Sequence, residues 1–284
     1  MNEVGVLTNE VSVLTEDQIN FYNERGYLRI PKIFTPQETD ELAAELDRLI
    51  EVWAQKTVGW TGPWRKVYMD ADTEKKSMLT SMHDLHFYSG AWARAVMKPN
   101  LVEVLSNLLG PNVELHHTTM HVKPPETGHP FPMHQDWPFY KHQNGRYVDV
   151  LVHLDDTCHD NGEIRLLEGS HKQGPLQHIV RTQDGPCHPH LPTDKYKLED
   201  TVAGPANRGD IVCFNICTIH GSHINVTNRP RRLVRLGYRD PENVQIAGQS
   251  LGRPGLIVRG FRPRRSGQDL FSNNGPREGE ATFD

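Results

Sequence analysis

The chain has 284 residues with 36% hydrophobic side chains, 23 Gly and 20 Pro, enough for a sizeable core in one large domain or two small ones, with many turns. Its net charge of −5 and pI near 6.3 exclude a global basic field that would draw in nucleic acid or an anionic membrane surface. No apolar stretch is long enough to cross a bilayer, Met1–Glu16 lacks leader character, and Cys158, Cys187, Cys213 and Cys217 form no regular framework, so a reducing, cytoplasmic setting is expected.

In chain order, Thr15-Glu16-Asp17-Gln18 reads as a capping box opening a short helix that Gly26 ends, followed by a strand over Tyr27–Ile30. Thr35-Pro36-Gln37-Glu38 is a stronger start signal: an N-cap, Pro at the first helical position and Glu at the third. The helix it opens places Leu42, Leu46, Leu49, Ile50 and Trp53 on one stripe. Between Ala54 and Thr80 the periodicity dissolves around Gly59-Trp60-Thr61-Gly62-Pro63-Trp64, which predicts a lid-like loop. A further helix fits Leu101–Leu109, closed by Gly110-Pro111. From Val113 onward the texture is strands and turns, with Val113–Val122, Tyr147–Leu154, Ile164–Leu167, Asp210–Ile216, Leu233–Tyr238 and Gly255–Val258 as candidates. Asn161-Gly162 suggests a tight hairpin. Helices first and short strands afterwards predict an α+β fold: a jelly-roll core with N-terminal helices packed on one sheet. The expected organisation is one domain over 1–284, with a mainly helical part at 16–110, the loop at 54–80, the β core at 111–260 and a flexible tail at 261–284.

Sixteen histidines are the compositional anomaly, and they concentrate between His83 and His223. His134-Gln135-Asp136 has the alternation that would put two ligands on one side of an extended strand. A third ligand from a distant strand, His220, would complete two imidazoles and one carboxylate, leaving open positions that suit ferrous iron in an oxygen-activating enzyme. An H-x-D triplet alone is weak, since a chain of this composition gives about one by accident. His153-Leu154-Asp155 is such a second match and reads as a strand residue entering a turn. Arg231, Leu233 and Arg235 share one face of a strand, and a buried arginine needs an anionic partner, from protein or ligand. Cys213, Cys217 and His220 match no structural zinc spacing, and the two cysteines read as small core residues.

The run from Gly110-Pro111-Asn112 through Lys123-Pro124-Pro125-Glu126-Thr127-Gly128, His134-Gln135-Asp136, Asn161-Gly162, Gly169-Ser170-His171, and His220-Gly221-Ser222 with Asn225 and Arg231 resembles the phytanoyl-CoA dioxygenase family, over roughly Gln18 to Tyr238. That resemblance implies a double-stranded β-helix and Fe(II)/2-oxoglutarate-dependent oxygenation, with O2 as oxidant and succinate and CO2 released. By matching positions it implies iron held by His134, Asp136 and His220, with the distal carboxylate of 2-oxoglutarate on Arg231, helped by Ser222, and Thr119 as another contact. Charge bookkeeping agrees: Fe(II) with one carboxylate, a 2-oxoglutarate dianion and Arg231 sum to neutral, avoiding an uncompensated buried charge. The presence of Asp136 argues against halogenation.

The reading is therefore an oxygenase acting on an unactivated C–H bond of a small molecule, a secondary metabolite or an acyl-CoA. Two other classes are a non-catalytic metal- or ligand-binding jelly-roll protein and a nucleic-acid demethylase, the latter disfavoured by the charge. The expected substrate-facing side chains are Trp64 and Arg65 of the 60–68 loop, Gln135, Trp137 and Phe139 beside the ligand pair, and Arg235, which would meet either a substrate anion or a buried acid. Neither a nucleic-acid nor a membrane partner is expected, and the chain would act as a monomer or homodimer.

Overall fold

The structure, a computed structural model, describes residues 14–253 and 255–263. Met1–Val13 and the expected tail beyond residue 263 lie outside the described residues. Both capping boxes form. Thr15 and Gln18 cap the helix Glu16–Arg25, which ends on Gly26 at φ 84. Thr35 and Glu38 cap Pro36–Val52. The stripe Leu42, Leu46 and Leu49 is buried, whereas Trp53 at the C-cap is exposed, because the helix stops before that turn can reach the core. The third long helix runs Pro99–Leu109. Among the described residues no helix is long and apolar enough to cross a membrane.

A large antiparallel sheet holds Tyr27–Ile30, Ile211–Asn215, Tyr147–His153, Leu233–Arg239, Val113–Val122, Leu79–His83 and Gln55–Thr57 in that spatial order, with Leu256–Arg259 also pairing on Val113–Val122. A smaller antiparallel sheet orders Val202–Gly204, Ile164–Leu166, His220–Ser222 and Phe131–His134. The period of two along each strand divides the large sheet's faces. Val148, Val150, Val152, Ile211, Cys213, Val234, Leu236 and Tyr238 pack in the cluster that includes Leu46, Leu49, Trp92, Leu101 and Leu105 of the helices. Their alternates Leu151, Val212, Phe214 and Leu233 pack against Ile164 and Leu166 of the smaller sheet. The architecture is thus α+β, a jelly roll with helices on one outer face, and the second interior cluster floors the site.

Two local readings need correction. The segment 54–80 is not a bare loop: it contributes the edge strand Gln55–Thr57, the short helices Arg65–Tyr68 and Ala71–Lys76, and the start of Leu79–His83. Those elements are too short for their periodicity to show. Asn161-Gly162 is not a hairpin turn either, since the strands before and after it lie in different sheets. Asn161 instead caps a single 3₁₀ turn by bonding Cys158 N and Asp156 O, and Gly162 takes φ 74.

His153 ends its strand fully buried, with no aligned partner for either ring nitrogen. Burial, reinforced by Arg231, pushes its pKa down to about 4. An unfolded histidine binds its proton near pH 6.5, so this neutral burial contributes its full stability above pH 6.5 and loses it as pH falls towards 4, by roughly 3 kcal/mol. His153→Leu should therefore flatten the fall in melting temperature between pH 7 and pH 4.5. An acid-side slope equal to that of the parent protein would refute this assignment.

Candidate metal centre

His134 closes the strand Phe131–His134, and His220 opens His220–Ser222; the two are paired across the ladder, with ring centroids 4.2 Å apart. Asp136 is not on the strand. It sits in the helical region (φ −76, ψ −21) at the entry to a 3₁₀ turn over Trp137–Phe139, and this bend, rather than the pleat, returns its carboxylate to the imidazoles. Asp136 Oδ1 lies 3.6 Å from His134 Nε2 and Oδ2 lies 3.9 Å from His220 Nε2. The three ligand atoms fall within 4.8 Å of one another, all on buried residues.

The tautomers follow from the backbone. His134 Nδ1 lies 2.7 Å from Pro132 O and His220 Nδ1 3.0 Å from Thr218 O. A carbonyl can only accept, so each Nδ1 carries a proton, and each Nε2 is the nitrogen turned towards Asp136. Burial, with His134 adding to it, pushes His220 down to about 3, which keeps it an uncharged donor. Two imidazoles and a carboxylate around one point suit a divalent transition metal.

Asp136 would be raised by burial, but the Arg235 guanidinium, helped by His220, holds it well below the usual carboxylate range. Arg235 Nη1 stands 2.5 Å from Asp136 Oδ2, and Nε 3.7 Å from Asp149 Oδ1. Asp149 goes the other way: burial and the neighbouring Asp136 charge push it up, and Tyr140 Oη contacts both its oxygens at 3.0 and 3.2 Å. Of the two partners left open for Arg235, the structure supplies a buried acid.

A cavity with about 500 Å³ of empty space, partly open to solvent, contains the three ligand residues together with Ser222, Arg231 and Arg235. Leu151, Ile164, Phe214 and Leu233 give it apolar walls. Arg231 is 4% exposed, its Nε has no partner among the described residues, and burial pushes its pKa down to about 10. Nearby Asp155 is already gripped by Arg232. A buried guanidinium with no paired anion facing a cavity is an anion site awaiting its ligand. Lys123, just past the strand Val113–Val122, bridges in the backbone to Arg231 and donates through Nζ to Ser222 Oγ (2.7 Å) and His223 O. Sequence reasoning missed Lys123 as a site residue, although it stands in the Lys123-Pro124-Pro125 stretch that carries the resemblance.

The other expected residues are distributed differently. Trp60, not Trp64, roofs the cavity: its ring meets His134 edge-on at 4.7 Å and stacks on His188 at 5.8 Å. Trp64 is buried against His129 and Tyr68. Arg65 also stays out of the cavity lining, because its guanidinium pins the segment by donating to Val58 O, Trp60 O and Glu74 O. Gln135 is fully buried and its amide is consumed by Gly174 O, Cys217 O and Leu176 N. Trp137 packs with Tyr140 and Tyr147 beneath Lys141 rather than lining the cavity. Thr119 bonds His83 Nδ1 at 3.1 Å, and its strand neighbour His121 takes the cavity-facing position. Phe139 lines a second, outer chamber that shares Trp60, His121, Asp136 and Arg235 with the first. Cys213 and Cys217 are free and buried in separate clusters.

Residues 22–233 match the family model described as phytanoyl-CoA dioxygenase. The chain is 26% identical over 258 residues to a probable alpha-ketoglutarate-dependent hypophosphite dioxygenase of Stutzerimonas stutzeri, covering 85% of this chain and 89% of that protein. It is 27% identical over 249 residues to an ectoine dioxygenase of Bordetella bronchiseptica, covering 81% and 77%. The non-heme alpha ketoglutarate dependent carbocyclase SnoK from nogalamycin biosynthesis shares the fold, with a TM-score of 0.67 at 18% identity over 83% of this chain and 88% of that one.

Proposed function

The chain belongs to the phytanoyl-CoA dioxygenase family, and from that membership and the geometry of its site we infer an Fe(II)- and 2-oxoglutarate-dependent dioxygenase that oxidises a C–H bond of a small molecule. The observation that carries this reading is the meeting of His134, Asp136 and His220 beside an unpaired, buried Arg231. Bound Fe(II) supplies the O2 activation that couples decarboxylation of 2-oxoglutarate, giving succinate and CO2, to oxidation of the substrate.

The chain's own residues divide the remaining work. His134 and His220, fixed in one tautomer by backbone carbonyls, would hold the cation with Asp136. Arg235 keeps Asp136 ionised and its carboxylate aimed. Arg231 would pair with the distal carboxylate of 2-oxoglutarate, and Ser222, oriented by Lys123, would hydrogen-bond it. The walls of Leu151, Ile164, Phe214 and Leu233 would exclude water from the co-substrate, strengthening that ion pair. Trp60 closes the outer side over His134.

The test is direct. Iron-loaded protein supplied with 2-oxoglutarate, ascorbate and O2, but no prime substrate, should form succinate slowly, and metal-free protein should form none. Iron binding without succinate, whatever candidate substrate is added, would favour the ligand-binding class instead.

A further inference from the structure

The outer chamber is polar where the inner one is apolar, and the strand register explains why. Arg235 pairs with Thr119 and Thr119 with His83, while in the adjacent row His121 pairs with Ser81. Residues two apart share a face, so this corner of the large sheet turns His83, Ser81, His121 and Arg235 into one chamber. His188 faces them from the ribbon Gly185–His190 on the opposite side.

Most of these groups have hydrogen-bonding capacity to spare. Thr119 Oγ1 takes His83 Nδ1 and leaves Nε2. Thr61 N takes His188 Nδ1 and leaves Nε2. Among the described residues no hydrogen bond reaches either ring nitrogen of His121 or the Ser81 hydroxyl. Nor is any acid in this lining left over to repel an anion. Asp136 is the sole acidic side chain lining the chamber, and Arg235 already neutralises it. Burial first, and Arg235 second, hold His83 and His121 below their usual range.

We propose that the prime substrate is a small, hydrogen-bonding molecule carrying an oxyanion, a carboxylate or a phosphorus oxyanion, held by His83, His121 and Ser81 beside Arg235. This rests on the dioxygenase reading above and names the substrate class for that same site. An acyl-CoA fits poorly. The chamber and the vestibule outside it, bounded by Pro138, Pro186, Pro189 and Gln249, offer no lysine and no arginine besides Arg235 to meet several phosphate charges. An aliphatic chain would also leave the unpaired imidazoles and hydroxyl desolvated without partners.

The experiment is anaerobic calorimetry on the iron-loaded, 2-oxoglutarate-saturated protein, titrated with a panel of small carboxylates, phosphonates and phosphinates and, separately, with palmitoyl-CoA. At least one small oxyanion should bind with a Kd of about 1 mM or tighter and raise succinate formation. His83→Leu and, as a gentler change, Ser81→Ala should each weaken that binding about ten-fold or more, beyond any change in 2-oxoglutarate affinity. His83→Gln, which keeps a hydrogen-bonding end, should recover part of it. The proposal is overturned if no panel member binds while 2-oxoglutarate does, or if palmitoyl-CoA binds and is indifferent to both substitutions. Failure of 2-oxoglutarate itself to bind would overturn the dioxygenase reading, and this inference with it.

Discussion

His134→Ala should leave a folded protein that no longer retains iron through dialysis and forms succinate roughly a thousand-fold or more slowly, beyond the 10–100-fold typical of losing a residue behind a ligand. His134 is the cleanest of the three ligands to remove. Among the described residues its ring has one hydrogen bond, to Pro132 O, so truncation strands one carbonyl. Removing Asp136 would instead leave Arg235 buried without its closest anion, mixing loss of metal with loss of stability. The measurements are metal content by elemental analysis and succinate by chromatography, alongside a melting curve. An alanine variant that keeps stoichiometric iron, or comparable succinate formation, would remove the metal assignment.

The second large effect is expected at Arg231. Arg231→Met should raise the KM for 2-oxoglutarate by about 30-fold to several thousand-fold, corresponding to about 2–5 kcal/mol for losing one side of a buried charge pair. Stability should move the other way. Without co-substrate this guanidinium is desolvated and has no paired anion among the described residues, so an apolar side chain of similar length should leave the melting temperature of the free protein unchanged or higher. A structural arginine would behave oppositely, with KM intact and melting temperature down. Added 2-oxoglutarate should stabilise the parent iron-loaded protein and not the variant.

Much of this was legible in the sequence where local chemistry alone decides the outcome. Thr15 and Thr35 begin helices because their hydroxyls accept from backbone amides three residues on. Val113–Val122 is long enough to be a strand whatever surrounds it. The ligand set could be proposed because residue types and order restrict it, yet the stated reason for Asp136 was incomplete: the carboxylate arrives by a turn, not by strand alternation. The short strands Phe131–His134, His220–Ser222 and Val202–Gly204 carry three or four residues each. No periodicity is readable over such lengths, because they exist through pairing with distant partners. The exchange of Trp64 for Trp60 has a similar origin: both lie in one Gly-rich segment, and the grip of Arg65 on Trp60 O and Val58 O, with the distant His129 accepting from Trp60 N, fixes which ring faces the cavity. Gln135 looked like a site residue by adjacency, and its fully bonded amide could not have been foreseen from neighbours in sequence alone.

The cross-strand pairing of His134 with His220 has a mechanical consequence. The smaller sheet is built from segments too brief to cohere strongly by themselves, and a cation gripping both imidazoles would staple two of its neighbouring strands together. Metal occupancy and the cohesion of that sheet then become a single linked equilibrium, so a chelator would slacken one wall of the barrel as well as silence its chemistry.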